Sequence, residues 1–317
     1  TISNTSVTVI GKVTDDDGVT GDPGTVQYRY SPTGNGVDFG SWQDVLVTGT
    51  PTNQDFSYTI TSASDGNKLL QMRAVDQNGI NSNVLEIGFS FDTDEPEITG
   101  LAPTDGSYFN GDFGISGTVT DDTDVTRLEY RVERNGTQVI PATAGDWVPI
   151  SGTPSTSIAF NETIDTSFGG GAYEVFIEAS DDTFTRAKSV SVFVDKTDPT
   201  ASFTFPTGGS TQNNIITLSG GTSDNYGVQS VDFVVVDTFS ATHALPTGTV
   251  TGTNSWSITG FDTRNAALLS YAEDLGGGLY EVTLRALITD VAGNVSSAVA
   301  PENNLVFRID QAEDRPV

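Results

Sequence analysis

One string returns three times along this chain, a domain's length apart. "GKVTDDDG" (11–18), "GTVTDDTD" (117–124) and "GGTSDNYG" (220–227) each close an apolar-alternating stretch on an acidic turn. Other strings keep the same order: "VTGTP" (47–51), "ISGTP" (150–154) and "VTGTN" (250–254) in mid-unit, then "AVDQNG" (74–79) and "ITDVAGN" (288–294) before a last strand. Repetition at this spacing means one folding unit used three times, each burying its own core. The strings divide the chain into units at 1–94, 95–197 and 198–317, the third carrying an insertion.

Within a unit the apolar residues alternate over short runs. Val7, Val9, Gly11 and Val13 form one such series, Phe113, Ile115, Gly117 and Val119 another, and Tyr173, Val175, Ile177 and Ala179 a third. A period of two puts one face of a strand in a core and the other in water. Several such strands with turn residues between them read as an antiparallel β-sandwich. The fold class is all-β, three tandem sandwiches in an extended array. Helical periodicity is confined to "AALLSYAEDL" (266–275), inside the third unit's insertion.

The strings "SDNYGVQSVDF", "NSWSITG", "GGGLYEV" and "TDVAGNVSS" resemble tandem bacterial immunoglobulin-like domains of the Big type, found in cell-surface and secreted proteins. The resemblance covers nearly the whole chain and implies Ig-like sandwiches. It implies a monomer outside the cell or on a bacterial surface, with a host-cell, surface or glycan ligand, and a tyrosine corner at Tyr173 and Tyr280. The first unit departs from the pattern, with only six residues before Val7 for a first strand, which reads as a start inside or at the edge of a domain.

In such a sandwich the last strand ends at the bottom, and the B–C and F–G loops lie at the top beside the chain's entry. Stacked domains would bring each linker against the next domain's loops. At the first junction that gathers Asp92, Asp94 and Glu95 of the linker, Asp121, Asp122 and Asp124 of the B–C loop, and Asp181 with Asp182 of the F–G loop. At the second it gathers Asp195 and Asp198, then Asp224 and Asn225, then Asp290 with Asn294. Crowded carboxylates either raise their pKa values or take up a cation. Ca²⁺ accepts six to eight oxygen ligands in irregular geometry, whereas Zn²⁺ prefers His and Cys, and this chain has one His and no Cys. The expected cofactor is Ca²⁺. The competing reading is that aspartates are common in turns, where they cap local N–H groups. Asp15, Asp16 and Asp17 with Asp76 form a similar top to the first unit, and Asp310 with Glu313 a similar exit from the third.

A formal charge of −28 argues against nucleic acid, and no apolar run reaches the ~20 residues of a membrane helix. His243 has no Ser or Asp partner at a motif spacing, and no nucleophile-elbow, P-loop or zincin string occurs. The chain reads as a non-catalytic stalk or adhesive segment of a larger exported protein. The alternative is a carbohydrate-binding or spacer appendage of a secreted glycan-active enzyme, with Trp42 and Trp147 as exposed stacking platforms. Trp256 falls one strand later than those two. The longer loops of the third unit, 237–254 and 262–279, are where a specific contact is expected.

Overall fold

The computed structural model describes residues 2, 6–15, 26–50, 52–62, 64–76, 78–296 and 301–312. Among the described residues six sheets pack in three pairs. In the middle sandwich, Glu97–Ala102, Phe113–Val125 and Ser155–Ile164 form one sheet. The facing sheet runs Thr137–Ile140, Arg127–Arg134, Gly171–Ser180, Thr185–Val194 and Ser107–Phe109, with Val148–Pro149 also on Arg127–Arg134. All its pairings are antiparallel except that of Ser107–Phe109, which lies parallel to the last strand. The third sandwich repeats this plan with Thr200–Phe205, Ile215–Ser223, Ser255–Asp262 and Thr249–Thr251 facing Thr211–Gln212, Asn304–Asp310, Leu279–Asp290, Val228–Val236 and Thr242–Ala244. In the first sandwich Ser6–Thr14, Asn53–Thr61 and Val47–Thr50 face Gln43–Val45, Val26–Ser31, Gly66–Ala74 and Leu85–Phe91. These are immunoglobulin-like sandwiches in tandem.

The alternation read from the sequence is the alternation of burial. Tyr173, Val175, Ile177 and Ala179 all point into the middle core and are almost wholly buried. Each sandwich has a separate core, built around Phe113, Ile164 and Val175 in the second, Trp256, Phe261 and Phe307 in the third, and Leu70, Ile60 and Met72 in the first. The Tyr173 hydroxyl donates to the Gly169 carbonyl at 2.7 Å, the bond a tyrosine corner makes.

The glycine that opens the repeated string has a physical cause. Gly11 pairs with Phe56, Gly117 with Phe160 and Gly220 with Trp256. A Cβ on any of the three would sit 2.3–2.9 Å from a ring atom of its partner. The ring of the partner residue occupies the space that a side chain on the glycine would need. Trp256 is therefore a core residue, 2% exposed, with its indole N–H bonded to the Gly221 carbonyl.

The insertion forms a shorter helix than expected. Asn265 caps Ala266–Tyr271 through the amides of Ala267 and Leu268, and Leu268 is buried. The helix stops before Glu273 because Glu273–Gly276 pairs with the start of Leu279–Asp290, so hairpin formation wins over the helical pattern. Among the described residues no helix is long and apolar enough to cross a membrane.

Candidate metal centres at the two joints

Parallel pairing at the sheet edge, through Ser107–Phe109 in the middle sandwich and a bridge at Ile2 in the first, fixes where each linker begins. The Phe109 carbonyl accepts the Asp195 amide at 2.8 Å, and the Ile2 carbonyl accepts the Asp92 amide at 3.1 Å. Asp92 and Asp195 thus follow the last strand by one residue, held by backbone, and both are 1% exposed. Their carboxylates meet loops of the next sandwich.

At the first joint one carboxylate oxygen each of Asp92, Asp121 and Asp181 lie within 4.8 Å of one another. These come from the linker, the B–C turn and the F–G turn. Each carboxylate spends one oxygen on local structure. Asp121 Oδ1 accepts the Thr123 amide at 2.8 Å, and Asp181 Oδ1 accepts the Thr183 and Phe184 amides at 2.6 and 2.7 Å. Asp92 Oδ2 accepts the Thr123 hydroxyl at 3.2 Å. The remaining oxygens, Asp92 Oδ1, Asp121 Oδ2 and Asp181 Oδ2, are buried and have no hydrogen-bond partner. Burial, then the charges of Asp181, Asp121 and Asp122, push the Asp92 carboxyl above its ordinary range, partly offset by the Thr123 hydrogen bond. Asp122, though an exposed residue, is raised too, by partial desolvation of its carboxyl, then by Asp121, Asp65 and Asp94.

The second joint repeats the arrangement with Asp195, Asp224 and Asp290. Asp195 Oδ1 accepts the Thr197 amide, Asp224 Oδ2 those of Tyr226 and Gly227, and Asp290 Oδ1 those of Ala292 and Asn294. Asp195 Oδ2 and Asp224 Oδ1 are buried without a partner. The Asn294 side-chain amide donates both to Asp290 Oδ2 at 2.8 Å and across the joint to the Asp195 carbonyl at 3.1 Å. Beside this lies an aromatic contact. The Tyr226 ring packs 5.6 Å from Tyr108 and 5.4 Å from Phe193, both of the middle sandwich.

Not every expected ligand joins a cluster. Asp124 and Asp198 are exposed and stand outside the carboxylate groups, since alternation or turn geometry directs them outward, whereas Asn225, also exposed, lines a cleft with Asp195 and Tyr226. Asp94 lines an open cleft of about 510 Å³ with Glu95, Asp121 and Asp122. Glu95 pairs with Arg186 at 2.9 Å, and Asp182 accepts the Thr126 hydroxyl. Asp65 was not foreseen. It precedes the strand Gly66–Ala74, accepts the Thr93 amide at 3.0 Å, and groups with Asp92 and Asp122. Its only sequence signal is its place next to Gly66, which pairs with Phe91 and so lies level with the linker. Asp16, Asp17 and Glu313 lie outside the described residues; Asp76 accepts the amides of Asn78 and Ile80, and Asp310 that of Ala312.

The other sequence candidates take structural roles. Trp42 packs under Arg29 and Arg73, at 4.8 and 4.2 Å, and Trp147 under Arg131 at 5.0 Å. Both are half-buried, each with at least one guanidinium group packed over its ring. His243 does have a carboxylate partner, Asp237 at 2.8 Å, and its ring stacks on Tyr271 at 3.9 Å. Asp237 also caps the turn amides of Phe239 and Ala241, leaving Phe239 90% exposed at the tip.

No protein-family profile matches the chain. No curated protein is similar to it in sequence. Among solved structures, the chain is similar to the fibronectin(III)-like modules of Clostridium thermocellum CbhA, at 18% identity over 70% of this chain and 97% of that one, with a TM-score of 0.32. It is similar to the titin I-band fragment I67–I69, at 11% identity over 96% and 93% with a TM-score of 0.40. It is also similar to a tetra-tandem repeat in the extending region of a large adhesion protein, at 20% identity over 96% and 75% with a TM-score of 0.30. At such scores these likenesses carry no argument, and the sandwich assignment rests on strand order and register.

Proposed function

We propose that this chain is a non-catalytic stalk or adhesive segment of a larger exported bacterial surface protein, stiffened by Ca²⁺ at both joints. The observation that carries the reading is the set of buried, unpartnered carboxylate oxygens at each joint. Two like charges at such separations repel by about 3–4 kcal/mol at an effective dielectric constant of about 20. Three of them in a joint favour neutralisation, and an all-oxygen donor set suits a hard cation of flexible coordination. Asp92, Asp121 and Asp181 would hold the ion at the first joint, and Asp195, Asp224 and Asp290 at the second. An ion bound by linker and loops together ties two sandwiches into one unit. The carbohydrate-binding alternative would need a free ring face on Trp42 or Trp147, both of which are half-buried and packed against arginines.

Small-angle scattering and calorimetry with Ca²⁺ and with excess chelator test this. A longer, less variable particle and a higher melting temperature are expected with Ca²⁺, since a ligand of the folded state stabilises it by about 2.7 kcal/mol at 100 Kd. Identical profiles and melts under the two conditions would overturn it.

A further inference from the structure

Strand register lines the two joints up residue by residue. Gly66 pairs with Phe91, and Gly171 with Val194. The residues just before those glycines, Asp65 and Gly170, are therefore equivalent, as are Asp92 and Asp195 just after the last strand. The B–C turns align through Asp121 and Asp224, each accepting the amide two residues on, from Thr123 and Tyr226. Asp122 is then equivalent to Asn225.

The first joint thus carries two acids, Asp65 and Asp122, where the second carries glycine and an amide. These additions are not scattered. One oxygen each of Asp65, Asp92 and Asp122 lie within 4.8 Å of one another, a set distinct from Asp92, Asp121 and Asp181 and sharing only Asp92. Asp92 is 1% exposed, and its Oδ1 has no hydrogen-bond partner. A carboxylate has two oxygens and can serve two metal ions. The adjoining open cleft lined by Asp94, Glu95, Asp121 and Asp122 gives room for water to complete a coordination shell. At the second joint Tyr226, on the middle sandwich's Tyr108 and Phe193, stands where the first joint has Thr123.

We propose that the first joint takes a second divalent cation, held by Asp65, Asp92 and Asp122, with Asp92 bridging the two ions. This rests on the reading of the joints as cation sites. The two joints then bind three ions, two at the first and one at the second.

Equilibrium dialysis against Ca²⁺, with the bound metal measured, counts the sites. The native chain is expected to reach three equivalents. Asp65→Asn, which keeps an acceptor for Thr93, and Asp122→Asn, which copies the second joint at an exposed position, should each reach two. A native endpoint of two, or variants that still reach three, would overturn the bridged pair while leaving one ion per joint intact. A native endpoint of one or none would overturn both readings.

Discussion

A glycine under an aromatic ring occupies the same register point in all three sandwiches, and the contact leaves no room for a methyl group. At Gly117 a Cβ would lie 2.9 Å from the Phe160 ring and 3.1 Å from Leu101. Overpacking a core by one carbon costs about 1–3 kcal/mol. Gly117→Ala should therefore lower the unfolding free energy of the middle sandwich by that amount, read as a lower urea midpoint at an unchanged slope, and Phe160→Leu in the same chain should recover part of it. A pair of losses that simply add would show that the two positions do not share the space. A second prediction belongs to Asp92 and Asp122, whose carboxyls are raised by burial first and neighbouring acids second. A raised carboxyl binds its proton more tightly in the folded state, so its neutral form is favoured below the raised value. With chelator present, stability should fall as pH rises from about 4, the ordinary carboxylate value, through that raised value. Ca²⁺ competes with those protons and should reverse the trend over the same range. Melting temperatures against pH, with and without Ca²⁺, check the sign.

Elements decide how each joint is held. At the second, a turn places Tyr226 against a strand edge carrying Tyr108 and Phe193, and Asn294 reaches the Asp195 carbonyl. At the first, the crossing contact from the equivalent turn position is the Thr123 hydroxyl on Asp92. Tyr226→Ala should widen the range of angles at the second joint while leaving both flanking sandwiches folded. Scattering in Ca²⁺ would show a broader distance distribution with unchanged melting transitions; a changed melt would place the tyrosine in a core rather than a joint. The strands behind these turns were legible from the period of two, which is local and leaves its mark on Tyr173 through Ala179 without outside help. The convergence of Asp92, Asp121 and Asp181 was legible too, because sandwich topology fixes which loops share an end. Asp65 was not, since its height beside the linker depends on the pairing of Gly66 with Phe91. Nor was the Tyr226 contact, which needs the side-chain direction in a turn. The outward turn of Asp124 and Asp198 has the same origin, for composition places acids near a joint but only local backbone geometry aims them.

For the whole molecule, if the joints hold Ca²⁺ as proposed, two unlike joints in series should soften unevenly when it is removed. At the first joint, stripped carboxylates face one another, and the Thr123 hydroxyl reaches Asp92. The second keeps an aromatic contact and an amide bridge that need no ion. Stripped of Ca²⁺ at neutral pH, the chain should behave as one sandwich swinging on a still-coupled pair. The absence of cysteine makes this measurable, because two introduced cysteines are then the only labelling sites. Ser57, Ala159 and Thr259 lie exposed on matching strands of the three sandwiches and belong to none of the acidic clusters. Spin labels at 57 and 159 report the first joint, and labels at 159 and 259 the second. Chelator should broaden the first distance distribution strongly and the second slightly, and Ca²⁺ should restore both. Equal broadening would mean that the tyrosine contact contributes nothing to stiffness. No broadening in either pair would mean that the carboxylates are solvated turn residues and that the rigidity of the array, if any, lies in its backbone.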